Sequence, residues 1–222
     1  RDRNNQLEHV RLVAAYGYEL GDGWSVGAGI QGSLTRLRTD QLTLNFIPAL
    51  ANNKWDDAYG IGVNFGVYKK FGDSFSVAAS YRTPQWTQAL GKYRDLAPDK
   101  LEYPQAARLG VAWVALHDKE SHKDKLTLTA DYEFQNWSGV APFGVPVLKS
   151  GLAWRDIHAF KAGIEWNACD KLTLMAGLSI ARPVVTRDHT FTNAFIPTLI
   201  EQHYTAGLTW HVNEKNDLHL VY

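Results

Sequence analysis

Asp131 and Glu133 stand two positions apart, a spacing that puts both carboxylates on one face of an extended strand, where an acid and a base could divide proton-transfer work. His211 and His219 flank the segment NEKN, so a hairpin there would bring two imidazoles to one side of a sheet, half of what a zinc site needs. Lys149 and Arg155 bracket an apolar loop and could pair with an anionic headgroup, although isolated loop cations are most often solvated. Each grouping has a plainer reading. The two acids fall on the polar half of an ordinary alternation, and the histidines lack a third ligand nearby. Cys169 is the single cysteine, so no internal disulfide and no thiolate cluster can form. No G-x-S-x-G nucleophile turn and no phosphate-binding loop occurs. The expectation is no catalytic residue, no metal and no cofactor.

The elements that hold these residues follow a period of two. In KLTLTADYEFQNW, Leu126, Leu128, Ala130, Tyr132 and Phe134 alternate with Thr127, Thr129, Asp131, Glu133 and Gln135, giving one apolar and one polar face. The same alternation sets Leu109, Val111, Trp113 and Ala115 against Arg108, Gly110 and Ala112, and Phe160, Ala162, Ile164 and Trp166 against Lys161, Gly163, Glu165 and Asn167. It recurs in Leu172 to Ile180 and in Tyr204 to Val212. Ten strands are expected over 7–20, 24–38, 57–70, 75–87, 104–116, 125–137, 155–168, 171–183, 201–213 and 217–222.

The links alternate short and long. Short ones, such as GDG at Gly21 to Gly23, FGDS at Phe71 to Ser74 and NEKN at Asn213 to Asn216, carry the Gly, Asp and Asn of tight hairpins. Long ones run over about 39–56, 88–103, 138–154 and 184–200. A hairpin every fifty residues or so, with long loops on one edge only, is the layout of an antiparallel up-and-down transmembrane β-barrel. The whole of 1–222 then forms one all-β domain in an outer membrane, long loops outside. Such strands need only about nine to eleven residues with every second one apolar, so hydropathy averages miss them. Tyr18, Trp24, Phe71, Phe75, Trp166 and Trp210 fall near the short turns, and Trp55, Tyr59, Tyr81, Trp86 and Trp137 near the long loops, as two interfacial belts would require. A soluble barrel or sandwich shares the alternation but not the one-sided loops.

With 23 basic and 23 acidic residues, a formal net charge of +0 and 45% hydrophobic residues, the chain is neither disordered nor fitted to nucleic acid. The start, RDRNNQLEHV, shows no signal peptide, and the end, DLHLVY, stops within an apparent strand; a fragment of a longer barrel is expected, since an open edge in lipid leaves backbone groups unpaired.

The polar faces carry ten glycines, among them Gly17, Gly27, Gly62, Gly66 and Gly110, and the side chains Arg11, Glu19, Gln31, Asn64, Arg82, Arg108, Asp131, Glu133, Lys161 and Glu165. They form either a surface that grips a polar plug or the solvated wall of a water-filled lumen. The outer loops are unusually apolar: Phe46, Ile47 and Leu50 in one, Phe143, Val145 and Leu148 in the next but one, Phe195 and Ile196 in the last. Leaving such surface in water costs about 25 cal/mol per Å². The loops therefore either pack on each other or form a groove for a hydrophobic ligand. Together with Lys149 and Arg155, these eight are the candidate ligand-binding residues.

Four stretches, DDAYGIGVNFGVYKKFGDSFSVAASYRTP, EYPQAARLGVAW, KLTLTADYEFQNWS and WRDIHAFKAGIEWNACDKLTLMAGLSIARPVV, in this order and spacing from about Asp56 onward, resemble the outer-membrane hydrophobic-compound transporters, the long-chain fatty acid and toluene transporter (FadL and TodX) family. The resemblance implies a monomeric fourteen-stranded barrel plugged by an N-terminal hatch, of which the fourth to thirteenth strands would be visible. It implies capture of a hydrophobic small molecule in an outer-loop groove, transfer to an inner pocket and release through a lateral opening in the wall, without bond chemistry. The loop around Lys149 departs from the family in length and sequence, and inner-pocket residues cannot be carried over. A general porin-like channel for polar solutes and an outer-membrane lipid hydrolase are the alternatives.

Overall fold

Alternation along the chain becomes pairing across it. The computed structural model describes residues 5–39, 54–93, 100–117, 124–146, 151–190, 193, 201–213 and 216–222. Among the described residues, eleven strands form one antiparallel sheet: β1 (Asn5–Gly21), β2 (Trp24–Thr39), β3 (Asp56–Phe71), β4 (Phe75–Arg82), β5 (Trp86–Thr87), β6 (Ala106–His117), β7 (Asp124–Gln135), β8 (Ile157–Cys169), β9 (Leu172–Ala181), β10 (Gln202–Asn213) and β11 (Asn216–Val221). Each long strand pairs with its predecessor and successor, and β5 pairs with β3. This is the all-β, up-and-down antiparallel arrangement expected of a barrel wall.

The turns explain the order. Asp22 (φ 50°) and Gly23 (φ 75°) are both left-handed between the paired residues Gly21 and Trp24, the backbone of a two-residue hairpin whose twist matches the flanking strands. Glycine is required at position 23: a Cβ there would sit 2.5 Å from the carbonyl oxygen of Lys70 on β3.

Register assigns the faces. Gln31, opposite Gly62, and Ser33, opposite Gly60, are buried, as are Thr35, Glu133, Thr173 and Thr209. Stepping by two from these residues through the pairing gives the inner face, which holds every inward glycine and charged residue named above. The opposite face shows Leu12 (76% exposed), Ile30, Phe65, Leu109, Phe160, Ile164 and Trp210. None of Leu126, Leu128, Leu172 and Leu174 belongs to the buried core, so the greasy side looks outward, as lipid demands and a soluble core does not.

The apolar band has polar ends. Near the short turns the Lys69 ammonium lies 5.0 Å from the Trp24 ring and 5.5 Å from that of Phe71. Near the long loops Arg36 bonds Asp57 at 3.1 Å, reaches Glu8 at 3.6 Å and covers Trp55 at 4.9 Å. From Trp24 to Arg36 on β2 is about 40 Å at roughly 3.4 Å per residue. At a tilt near 40° that is about 30 Å of height, the thickness of a hydrocarbon core.

The sequence expectation of one strand over 75–87 is modified. Between the pairs Asn64–Arg82 and Ile61–Trp86, two residues of β3 face Thr83, Pro84 and Gln85, a one-residue bulge. Proline has no N–H to donate, so it sits where the ladder is broken. Against β6 the count is even, Arg82 opposite Ala106 and Gln85 opposite Tyr103. The bulge returns Gln85 to the inner face, opposite Gly62, whose missing Cβ leaves room for the Gln85 amide.

If the outer face meets acyl chains, Leu128→Arg should cost about 2–4 kcal/mol of folding stability in lipid, whereas Ser179→Arg on the inner face should cost far less. Urea titration of the barrel in liposomes measures both; equal costs would contradict the facing.

Candidate functional site

Two regions are built by this wall: a cap made by the loops and a polar lumen beneath it. The cap holds the principal buried apolar cluster of the described residues. Leu37 and Ala58 at strand ends meet Leu90, Tyr93 and Leu101 from one loop, Val140, Phe143, Leu152 and Trp154 from another, and Val184 and Val185 from a third. Phe143 lies 4.7 Å from the Trp154 ring and 5.0 Å, edge-on, from that of Trp137, the offset geometries aromatic rings prefer.

Polar bonds pin the cap. The Trp154 indole donates to the Asn193 side-chain oxygen at 2.6 Å, and the Asn193 amide donates to the carbonyl of Leu152 at 3.0 Å. The Asp156 carboxylate accepts from the Asn136 amide (3.2 Å) and from the Ser138 N–H (2.9 Å). In the loop before β6, the Tyr93 hydroxyl donates to the Lys54 carbonyl at 2.6 Å, and the Asp56 carboxylate accepts the Lys92 N–H, also at 2.6 Å.

Of the ten residues expected to bind ligand, Phe143, Val145 and Arg155 are described; Phe46, Ile47, Leu50, Leu148, Lys149, Phe195 and Ile196 lie outside the described residues. Phe143 is buried in the cap. Val145 is half-buried, and its carbonyl accepts the Ala153 N–H at 2.9 Å. Arg155 uses its Nε to donate to the Pro183 carbonyl at 2.6 Å, and its own N–H bonds Val184, so it joins two loops. Trp137, expected in the lipid belt, packs against the cap instead. Trp154 and Asn193 were not singled out by sequence reasoning. A tryptophan beside glycine and leucine in a long loop was their one signal, and no periodicity marks it.

In the lumen, Glu133 on β7 is 3% exposed. It accepts from Arg108 at 3.0 Å, Lys161 at 2.6 Å and Gln135 at 2.8 Å. Its oxygens are committed to three donors on three strands, which is a structural clasp rather than a free general base. Asp131, one inward position along β7, faces Lys161 across the ladder. Further round, the Gln85 amide donates to Gln31 at 3.1 Å, and Gln31 donates to Asn64 at 3.2 Å. Beside this amide chain a cavity of about 610 Å³ is walled by Arg11, Val13, Gln31, Asn64, Arg82 and Arg108, among others.

The two histidines do face inward across the β10–β11 hairpin, each with its own partners. His211 pairs with Asp217 at 2.8 Å and meets the Thr173 hydroxyl at 3.2 Å, while His219 meets the Thr209 hydroxyl at 2.8 Å. Among the described residues no three potential ligands gather around one point.

Comparison with known proteins agrees with this geometry. Residues 2–221 match the family described as outer membrane protein transport protein (OMPP1/FadL/TodX). Among solved structures, the P. putida toluene transporter TodX superposes with a TM-score of 0.70 at 16% identity, over 99% of this chain and 63% of that one. The Ralstonia pickettii toluene transporter TbuX gives 0.64 at 16%, over 99% and 63%. A Pseudomonas aeruginosa FadL homologue gives 0.62 at 15%, over 98% and 59%. The chain therefore spans about 63% of the length of the toluene transporters it matches. A search of curated proteins by sequence found no match.

Removing the central acid tests the clasp. Glu133→Gln keeps the shape but strips the charge that joins β6 to β8, and should lower stability by about 1.5–3 kcal/mol, the range for charge-assisted hydrogen bonds. Its half-exposed partners put the loss toward the lower end. A shift in the urea midpoint in liposomes measures it; no shift would mean that the ion pairs contribute nothing net.

Proposed function

Because this chain belongs to the outer membrane protein transport protein family (OMPP1/FadL/TodX), we propose that it moves a hydrophobic small molecule passively across the outer membrane, making and breaking no bond. The observation that carries the reading is an open cavity on the inner face of a wall whose outer face is apolar, beneath loops rich in aromatic side chains. A compound leaving water gains about 25 cal/mol for each Å² of apolar surface buried among such loops. A few polar groups then fix its orientation. No enclosed, water-free nucleophile is required.

The capture surface in this reading is formed by Phe46, Ile47 and Leu50, by Phe143, Val145 and Leu148, and by Phe195 and Ile196, with Lys149 and Arg155 at its polar margin. Phe143 would contribute through the aromatic cluster that it shares with Trp137 and Trp154, shaping the groove floor more than touching cargo. Membrane lipid is the surrounding partner, and a monomer suffices, because the route runs within one wall.

The glycines of the cavity supply the means of testing passage apart from folding. At Gly17 and Gly66 an added Cβ would approach only a backbone carbonyl, at 3.9 and 3.8 Å. Larger side chains there should be accommodated by the wall and project into the open space. Gly66→Leu combined with Gly17→Leu should leave heat-modifiable barrel mobility on gels intact, while uptake of a radiolabelled hydrophobic tracer by cells producing the complete protein falls about tenfold. Undiminished uptake in a correctly folded double variant would argue against passage through this cavity. Steady ion conductance by the complete wild-type protein in planar bilayers would favour the porin-like alternative.

A further inference from the structure

The lipid-facing side of the wall is not evenly covered. On the outer face Ala130 of β7 lies opposite Val111 on β6 and Ala162 on β8. Bulky rows flank these residues, with Trp113, Leu128 and Ile164 toward the short turns and Leu109, Tyr132 and Phe160 toward the long loops. Two adjacent alanines between such rows leave a hollow. Phe75, Val111, Trp113, Leu128 and Ala130 line a space of about 490 Å³, with Ser74 of the preceding short turn also in its wall. The Ser74 hydroxyl is bonded to His117 at 3.0 Å, so the turn side of the hollow is polar and the rest apolar. A gap on this face forfeits dispersion contacts unless hydrocarbon enters it. An acyl chain that does so exchanges one hydrocarbon for another, so apolar contact alone selects no particular lipid. Selection has to come from the headgroup.

The row of residues that crosses the hollow begins at a cation. Val111 pairs with Val77 on β4, Val77 with Lys69 on β3, and Lys69 with the outward Trp24 on β2. Lys69 is half-buried, its ammonium held over the Trp24 and Phe71 rings and donating to the Asp22 carbonyl. An ammonium has three N–H donors, and that carbonyl takes one. The acid of the adjoining turn, Asp73, approaches Lys70 at 3.9 Å, and Lys70 belongs to the inner face. With strands about 4.8 Å apart and tilted near 40°, each step along the row changes depth by about 3 Å. Lys69 lies two residues before the end of β3 at Phe71, whereas Ala130 lies six after the start of β7 at Asp124. The row therefore runs from the rim into the hydrocarbon, about 9 Å in the three steps from Lys69 to Ala130. A cation at the interface with an apolar hollow leading inward from it has the shape of a lipid's headgroup and chain.

We propose that Lys69, Trp24 and the hollow at Val111 and Ala130 form a binding site for one anionic phospholipid. Its phosphate rests on the Lys69 ammonium, and one acyl chain passes over Val77 into the hollow. Short turns of such barrels face the periplasm, which is the phospholipid leaflet of an outer membrane, so the lipid reaches the site from its own side. Charge sets the headgroup class, because a lysine close to an anionic membrane surface is worth about a fivefold preference. The site lies on the outer face of the wall, and it stands whether or not a compound passes through the lumen.

The test is native mass spectrometry of the complete protein released from nanodiscs that hold equal amounts of phosphatidylglycerol and phosphatidylethanolamine with identical chains. The wild type should retain one phosphatidylglycerol in about fivefold preference to phosphatidylethanolamine. Lys69→Gln should abolish that preference, and Lys69→Arg should keep it. Because Lys69→Gln also removes the bond to the Asp22 carbonyl, Ala130→Phe serves as an independent variant. It fills the hollow without touching the turn, and retention of the bound lipid should be lost. Heat-modifiable mobility on gels identifies the folded barrels to be compared. Equal retention of the two lipids by the wild type, or retention of neither, would overturn the proposal. So would a preference that survives Lys69→Gln or a bound lipid that survives Ala130→Phe. An adduct with the mass of a second chain in place of lipid would assign this face to self-association and overturn it as well.

Discussion

A backbone amide in hydrocarbon has no water to bond, and an unpaired one costs several kcal/mol. Each long strand from β2 to β10 is accordingly laddered on both sides by its sequence neighbours. That continuous pairing forces the rest of the design. Once the register of one hairpin is set, with Gly17 opposite Gly27 and Gly27 opposite Gly66, every later strand must place its polar residues on the same side. A one-residue slip anywhere would turn arginines toward lipid. The two-residue turns at Asp22–Gly23 and Asp170–Lys171 each have a register shift beside them, at Glu19/Gly21 and Asn167/Cys169, so turn and irregularity together set which residues face each other.

With the outer face given to lipid, most of the buried apolar side chains among the described residues lie outside the wall strands. The buried apolar cluster sits in the loops instead, where Trp154, Phe143 and Leu90 gather with Val184. This division has a mechanical consequence. The sheet is stabilised by backbone pairing and cross-strand clasps such as Arg108–Glu133–Lys161, while the cap is stabilised by burial and by bonds such as Trp154 to Asn193. A change in one need not propagate to the other, so loop sequences can diverge to suit a ligand while the wall keeps its register. The pattern accords with structural relatives at only 16% identity that still superpose over 99% of the chain.

Sequence periodicity alone located the long strands to within a few residues and assigned both faces, because lipid on one side and polar groups on the other impose the strictest period-two rule a chain can show. The exceptions share a cause. The break at Arg82 arises from Pro84 and a single extra residue, a local departure that alternation cannot register; Gln85 reads as polar whichever way it points. Trp137 sits where a belt aromatic would, yet turns into the cap because Phe143 and Trp154 are there to meet it, a tertiary fact with no local signature. For the same reason the apolar loop residues were legible as a group, but the cap's polar pins, Asn193 and Asp156, were not.

Charge in the lumen was visible as a list and became informative only through pairing. Glu133 lies 25 positions from Arg108 and 28 from Lys161 in the chain, and nothing in those spacings says that the acid would be gripped from both neighbouring strands. The fold sorts them: each inward position has a fixed neighbour across the ladder, so Glu133 falls between Arg108 and Ala159, next to Lys161, while Arg82 falls between Asn64 and Ala106. Neutral neighbours cannot quench a guanidinium. Where the ladder sets a carboxylate between two cations, as at Glu133, the charges join neighbouring strands, and where it does not, as at Arg82, register leaves the cation among neutral side chains.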